Sequence, residues 1–166
     1  MLLVTPPGGN SVILSGDEHG TVHRWDAATG DPVGGKLCEL DSMAMLLTSL
    51  VLEDGRLLVA CGTAYGEIRC FDVATGEPVG RSINTGNGTP AIAAISTPEG
   101  PLLLASSDDG IVQQWDVNTG EIIDDSLEGV SVATAMLSDG SYALATGQQN
   151  GDINILRTGG PRRVSA

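Results

Sequence analysis

One short pattern occurs four times along this chain: GTVHRWD (Gly20 to Asp26), GEIRCFD (Gly66 to Asp72), GIVQQWD (Gly110 to Asp116) and GDINILR (Gly151 to Arg157). The leading glycines Gly20, Gly66, Gly110 and Gly151 recur with a period of roughly 40–46 residues, the span of one small antiparallel sheet in a radial array of such sheets. Three of the four copies end in an aromatic residue and an acid: Trp25-Asp26, Phe71-Asp72 and Trp115-Asp116. The fourth ends in Leu156-Arg157. Four frames in phase predict an all-β fold, a β-propeller made of four-stranded antiparallel blades, about four in number.

The third repeat shows the unit most clearly. Ala91 to Ser96 reads as an apolar inner strand, broken by Pro98-Glu99-Gly100. Leu102 to Ser106 is a second strand, closed by Asp108-Asp109-Gly110, and Ile111 to Val117 is a third. After Asn118-Thr119-Gly120, the more polar Glu121 to Leu127 reads as the outermost strand. Asp-Gly between two apolar runs is a strong hairpin signal, commonly with a two-residue loop. Turn and strand alternate in this way throughout, without a sustained helical period. Blades are expected at about 1–41, 42–87, 88–128 and 129–157, in one propeller segment 1–157, with 158–166 a flexible tail.

These residues resemble the tryptophan–aspartate (WD) repeat propellers. The best match is LLASSDDGIVQQWD (Leu103 to Asp116), with weaker versions ILSGDEHGTVHRWD, VACGTAYGEIRCFD and LATGQQNGDINILR. The segments WDAATGDPVG and FDVATGEPVG look like repeats of bacterial members. The resemblance spans about Leu2 to Leu156. It implies a scaffold or regulatory module that brings proteins together and performs no catalysis. The chain departs from the family pattern in lacking the Gly-His pair before the inner strand. The family's His–Ser/Thr–Asp–Trp hydrogen-bond network is therefore incomplete in every blade, and the third comes nearest with Ser106 or Ser107, Asp109 and Trp115. Blades held mainly by apolar packing are the consequence.

Strand bookkeeping predicts a ring that does not close. With Leu2 to Thr5 as an inner strand, three blades are complete and the fourth stops after its third strand. Four blades in a closed ring would have to fan at about 90° each, more than the larger rings require. Three outcomes stand open: a crescent that is a fragment of a larger propeller, a chain that covers its open terminal blades by self-association or with another propeller segment, and a strained four-bladed ring. The incomplete, open ring is favoured.

Composition sets the partner class. The chain has 21 acids against 8 bases, a net charge of −13, and Lys36 is its one lysine. Nucleic acid and anionic membranes need a basic footprint, so neither is an expected partner. A basic or polar peptide segment suits the charge, although high net charge also serves plain solubility. No apolar run reaches the roughly 20 residues of a membrane span, and no signal-peptide pattern opens the chain, so a cytoplasmic location is expected.

Candidate chemistry is sparse. Trp25, Phe71 and Trp115 share one repeat position and suit packing between blades better than a ligand platform. Asp26, Asp72 and Asp116 follow them a blade apart, which fits turn capping better than acid–base catalysis. His19 and His23 lack further ligands for a metal, so no metal and no cofactor is expected. With Tyr65-Gly66 as a two-residue loop, Cys61 and Cys70 would fall opposite each other, and a disulfide is geometrically conceivable. Reduced buried thiols, Cys38 included, are the better reading inside a cell. Asn87-Gly88-Thr89 matches a glycosylation sequon that is idle without secretion. No nucleophile elbow, phosphate loop or calcium loop is present.

Propeller function resides on loops. Those joining second and third strands, with those entering the inner strand, are expected to share one rim. That rim would show Asp17, Glu18, His19, Tyr65, Asp108, Asp109, Gln149 and Asn150, with Glu39 and Asp41 beside them. The expected function is a non-catalytic interaction scaffold binding a protein partner there. The alternatives are a segment of a larger multidomain signalling protein, or a small-ligand or hydrolase-type propeller.

Overall fold

The structure, a computed structural model, describes residues 1–86, 88–89, 91–97 and 99–158. Asn87 of the sequon, Pro98 of the third-repeat turn and residues 159–166 of the expected tail lie outside the described residues. All regular structure described is β, in fifteen strands. Sheet one holds β1 (Leu2–Val4), β2 (Val12–Gly16), β3 (Thr21–Asp26) and β4 (Pro32–Glu39). Sheet two holds β5 (Ala44–Val51), β6 (Leu57–Thr63), β7 (Glu67–Asp72) and β8 (Pro78–Asn84). Sheet three holds β9 (Ile92–Thr97), β10 (Gly100–Ser106), β11 (Ile111–Asp116) and β12 (Ile122–Glu128). Sheet four holds β13 (Ser131–Met136), β14 (Tyr142–Gly147) and β15 (Ile153–Thr158). In each sheet the strands pair antiparallel in chain order, and the first strands lie innermost, β5 beside β9 and β9 beside β13.

The hairpin between second and third strands differs from the two-residue loop that Asp-Gly and Tyr-Gly suggest. Gly20 N donates to Asp17 O at 3.2 Å while Asp17 N donates to Thr21 O at 3.0 Å. Gly110 and Gly151 repeat the same pair of bonds with Ser107 and Gln148. Three residues therefore form the loop, a tight turn followed by a glycine bulge. The glycine alone takes positive φ, 85° at Gly20, 86° at Gly66, 82° at Gly110 and 91° at Gly151. Among the described residues no other residue type does so. The extra loop residue shifts the register by one. Cys61 pairs with Arg69 and Cys70 with Ala60, so the two cysteines are not opposite and point to different faces of sheet two. That corrects the opposed placement of Cys61 and Cys70 that a two-residue loop implied, while the three cysteines are free and buried.

Alternation along each strand gives every sheet two faces. One, here the leading face, meets the preceding sheet; the other, the trailing face, meets the next. In β11, Val112 and Gln114 lie on the trailing face and Trp115 on the leading one. Val4, Leu14 and Val22 of sheet one pack against Val59, Phe71 and Val73 of sheet two. Leu58, Ile68 and Cys70 pack against Leu103, Trp115 and Val117 of sheet three, and Leu104 and Val112 against Tyr142 and Leu144 of sheet four. Each fully buried Leu, Ile or Val contributes about 2 kcal/mol relative to exposure. The stack is an array of four propeller sheets that do not close on one another.

Candidate interaction surface

One rim of the stack is built from the glycine-bulge turns and the links entering each inner strand. Backbone bonds join the two kinds of loop. Leu40 N donates to Gly20 O at 3.0 Å and Ala44 N to Asp17 O at 3.1 Å. The same union recurs as Thr85 N to Gly66 O, Asp108 N to Gly88 O and Gly129 N to Gly110 O. This contact also explains Gly20: a Cβ there would stand 2.4 Å from Leu40 O.

The side chains singled out in the sequence divide along this rim. Glu18, His19, Glu39 and Asp41 are exposed around the turn of sheet one, and Tyr65 stands 80% exposed on the turn of sheet two. Asp17 is partly spoken for. Its Oδ1 accepts the amides of His19 and Thr21, both at 2.9 Å, and its Oδ2 lies 3.5 Å from His23 Nε2. The Thr21 amide, with smaller help from His19 and His23, holds the Asp17 carboxyl below the ordinary carboxylate range. Asn150 is exposed but engaged within its own loop, donating to Asp152 Oδ2 at 2.8 Å.

Asp108, Asp109 and Gln149 come together. With Glu128, Gln148 and Ile111 they line an open groove of about 290 Å³ between the turns of sheets three and four. Asp109 accepts a short hydrogen bond from the Ser107 hydroxyl, which lowers its pKa, while Asp108 is exposed at the mouth. The fuller network of the third repeat stops there, because among the described residues Trp115 Nε1 is buried without a hydrogen-bond partner. In sheet one the corresponding Trp25 Nε1 donates to Ser15 Oγ at 2.8 Å.

The acids after the aromatic residues cap the turns of the opposite rim. Asp26 accepts the amides of Ala28 and Thr29, Asp72 those of Ala74 and Thr75, and Asp116 those of Asn118 and Thr119, all at 2.7–3.1 Å. Sequence reasoning passed over a larger groove on that rim. It measures about 370 Å³ between sheets two and three and carries Glu53, Asp54, Glu99 and Asn118. These residues read only as turn formers in the sequence, and the packing of sheet two on sheet three brings their loops side by side. Among the described residues, no group of three or more His, Cys, Asp or Glu is arranged to hold a metal ion. No helix among them is long and apolar enough to cross a membrane.

The fold and its rim define an open β-propeller, a class whose sheets pack on each other and leave recognition to the loops. Residues 80–116, from β8 through β11, match the family described as WD domain, G-beta repeat. That stretch includes the third-repeat motif. No curated protein matches the chain. Among solved structures, the computationally designed Ika4 protein is similar at 21% identity and a TM-score of 0.65, covering 89% of this chain and 86% of that one. The computationally designed Ika8 protein is similar at 21% identity and a TM-score of 0.63, covering 92% of this chain but 44% of that one. This chain thus spans less than half the length of Ika8.

Proposed function

We propose that this chain is a non-catalytic docking module that binds a basic or polar protein segment along the glycine-bulge rim. The observation that carries this reading is the groove between sheets three and four, where Asp108, Asp109 and Glu128 gather around an apolar edge at Ile111. An extended peptide with Lys or Arg near its middle would meet carboxylates there. The exposed Tyr65 adds an aromatic contact further along the same rim. The WD repeat in residues 80–116 supports a role in protein–protein contact. A bacterial, cytoplasmic setting belongs to the same proposal and accords with three free, buried cysteines.

Calorimetric titration with a Lys/Arg-rich peptide and an acidic peptide of equal length tests the reading. The basic peptide is expected to bind with an affinity that falls with salt, and to weaken in the Asp108→Asn/Asp109→Asn double variant. Equal binding of both peptides, or no effect of the double variant, would reject the rim as the docking surface.

A further inference from the structure

Among the described residues, the two end faces of the stack carry the residues of a sheet-to-sheet interface with no sheet against them. On the trailing faces, Val22, Ile68 and Val112 occupy one repeat position and are each 0% exposed, whereas Ile153 holds that position in sheet four and is 70% exposed. Its neighbour Ile155, at the position of Cys70, is 69% exposed. Ala133, Ala143 and Ala145 complete an apolar surface around them. On the leading faces, Phe71 and Trp115 are buried, whereas Trp25 at the same position is only half-buried. Cross-strand pairing places Ile13 beside Trp25 and Leu3, 64% exposed, beside Ile13.

The three internal interfaces show what such faces fit. Leu14 and Val22 pack with Phe71, and Ile68 and Cys70 pack with Trp115. By the same repeat correspondence, Ile153 and Ile155 match Leu3, Ile13 and Trp25. One chain cannot bring these faces together, because its sheets do not close. We propose that the trailing face of sheet four docks on the leading face of sheet one in a second copy of this chain, and reciprocally, closing a two-copy ring. A closed pair covers both faces of both copies, whereas an open array always leaves two bare. A longer array of the same fold has room for two such stretches: the chain aligns with 44% of Ika8, which leaves length there for a second stretch of this size. The acids lie mainly on the rims, and the end faces themselves carry Arg157 on one side and His23 with the Lys36–Glu39 ion pair on the other. Two chains of net charge −13 repel through the rims, so added salt is expected to tighten the pair.

Light scattering and sedimentation velocity on the full chain test this. The expected species has twice the 17.0 kDa chain mass. Ile155→Asp, at an exposed site that leaves the fold intact by circular dichroism, is expected to weaken the pair by about a hundredfold, since each pair buries the new charge twice. Leu3→Asp is expected to do the same from the other face. Mixing the two variants should restore a pair through the one interface that neither substitution touches. A native chain that stays at single mass overturns the proposal, including the case in which a longer protein or another partner covers the faces. So does growth beyond two copies with concentration, or a pair that survives both variants. Peptide binding at the rim is a separate readout, and Asp108→Asn/Asp109→Asn is expected to leave the mass unchanged.

Discussion

Arg24 on β3 reaches across to sheet two, donating from Nη1 to the carbonyl oxygens of Val73 at 2.8 Å and Ala74 at 3.2 Å. It is a charged tie within an otherwise apolar interface. Arg24→Ala is expected to cost about 1–3 kcal/mol, because a charge-assisted pair is lost and two carbonyls lose their donor. Arg24→Lys should recover only part of this, since an ammonium cannot reproduce the guanidinium geometry. Urea denaturation midpoints decide the point, and an unchanged midpoint for Arg24→Ala would remove the tie from the account.

The turn carboxylates predict acid sensitivity. Backbone amides hold Asp17, Asp26 and Asp54 below the ordinary carboxylate range, and hydroxyls of Ser107 and Ser141 do the same for Asp109 and Asp139. A pKa lower in the folded than in the unfolded chain gives stability that is fully present above about pH 4 and is lost as pH falls through the folded values. Melting temperature should therefore be flat in these groups between pH 5 and 7 and drop below pH 4. Asp26→Asn, which keeps an acceptor but cannot titrate, should make that drop shallower.

The thiols of Cys61 and Cys70 should be inert in the folded chain. Burial pushes the Cys70 thiol up to about 12, and the neighbouring Cys38 thiol together with burial pushes Cys61 up as well. Reaction with a disulfide reagent at pH 8 is expected to be slow at Cys61 and Cys70 natively and to count three thiols in denaturant. Rapid native labelling of Cys61 or Cys70 would contradict the packing of sheets one to three.

Gly80 on β8 sits at φ 73°, and a Cβ there would lie 1.9 Å from the Val117 carbonyl of the next sheet. Gly80→Ala is expected to destabilise by about 1–3 kcal/mol, combining backbone strain with a forced separation of two sheets. Gly30, also at positive φ but with open space around it, is the control and should lose only the strain. Equal losses at the two sites would show that the close approach to Val117 carries no cost.

Much of the fold was legible because its signals are local. Turn residues at Asp-Gly and Thr-Gly, and alternation in segments such as IVQQWD, mark strand limits to within a residue or two. The hairpin register was missed for a local reason too. A turn residue before glycine, Tyr65-Gly66 as much as Asp-Gly, is compatible with both a two-residue and a three-residue loop, and in sheet two the choice between them moves the partner of Cys61 from Cys70 to Arg69. Of the rim, the loops could be named but not their neighbours. Asp108 and Gln149 share a groove because sheets three and four pack face to face, and no spacing in the sequence encodes that distance.

The sequence by itself determined that the protein is a series of antiparallel sheets, since period, turn chemistry and strand alternation act over a few residues at a time. Only the tertiary structure decided which chemically similar residues are core and which are bare. Val112 and Ile153 hold one repeat position and have nearly the same side chain. One is sealed by the next sheet and the other is left open, because burial depends on whether a neighbouring sheet is there to exclude water.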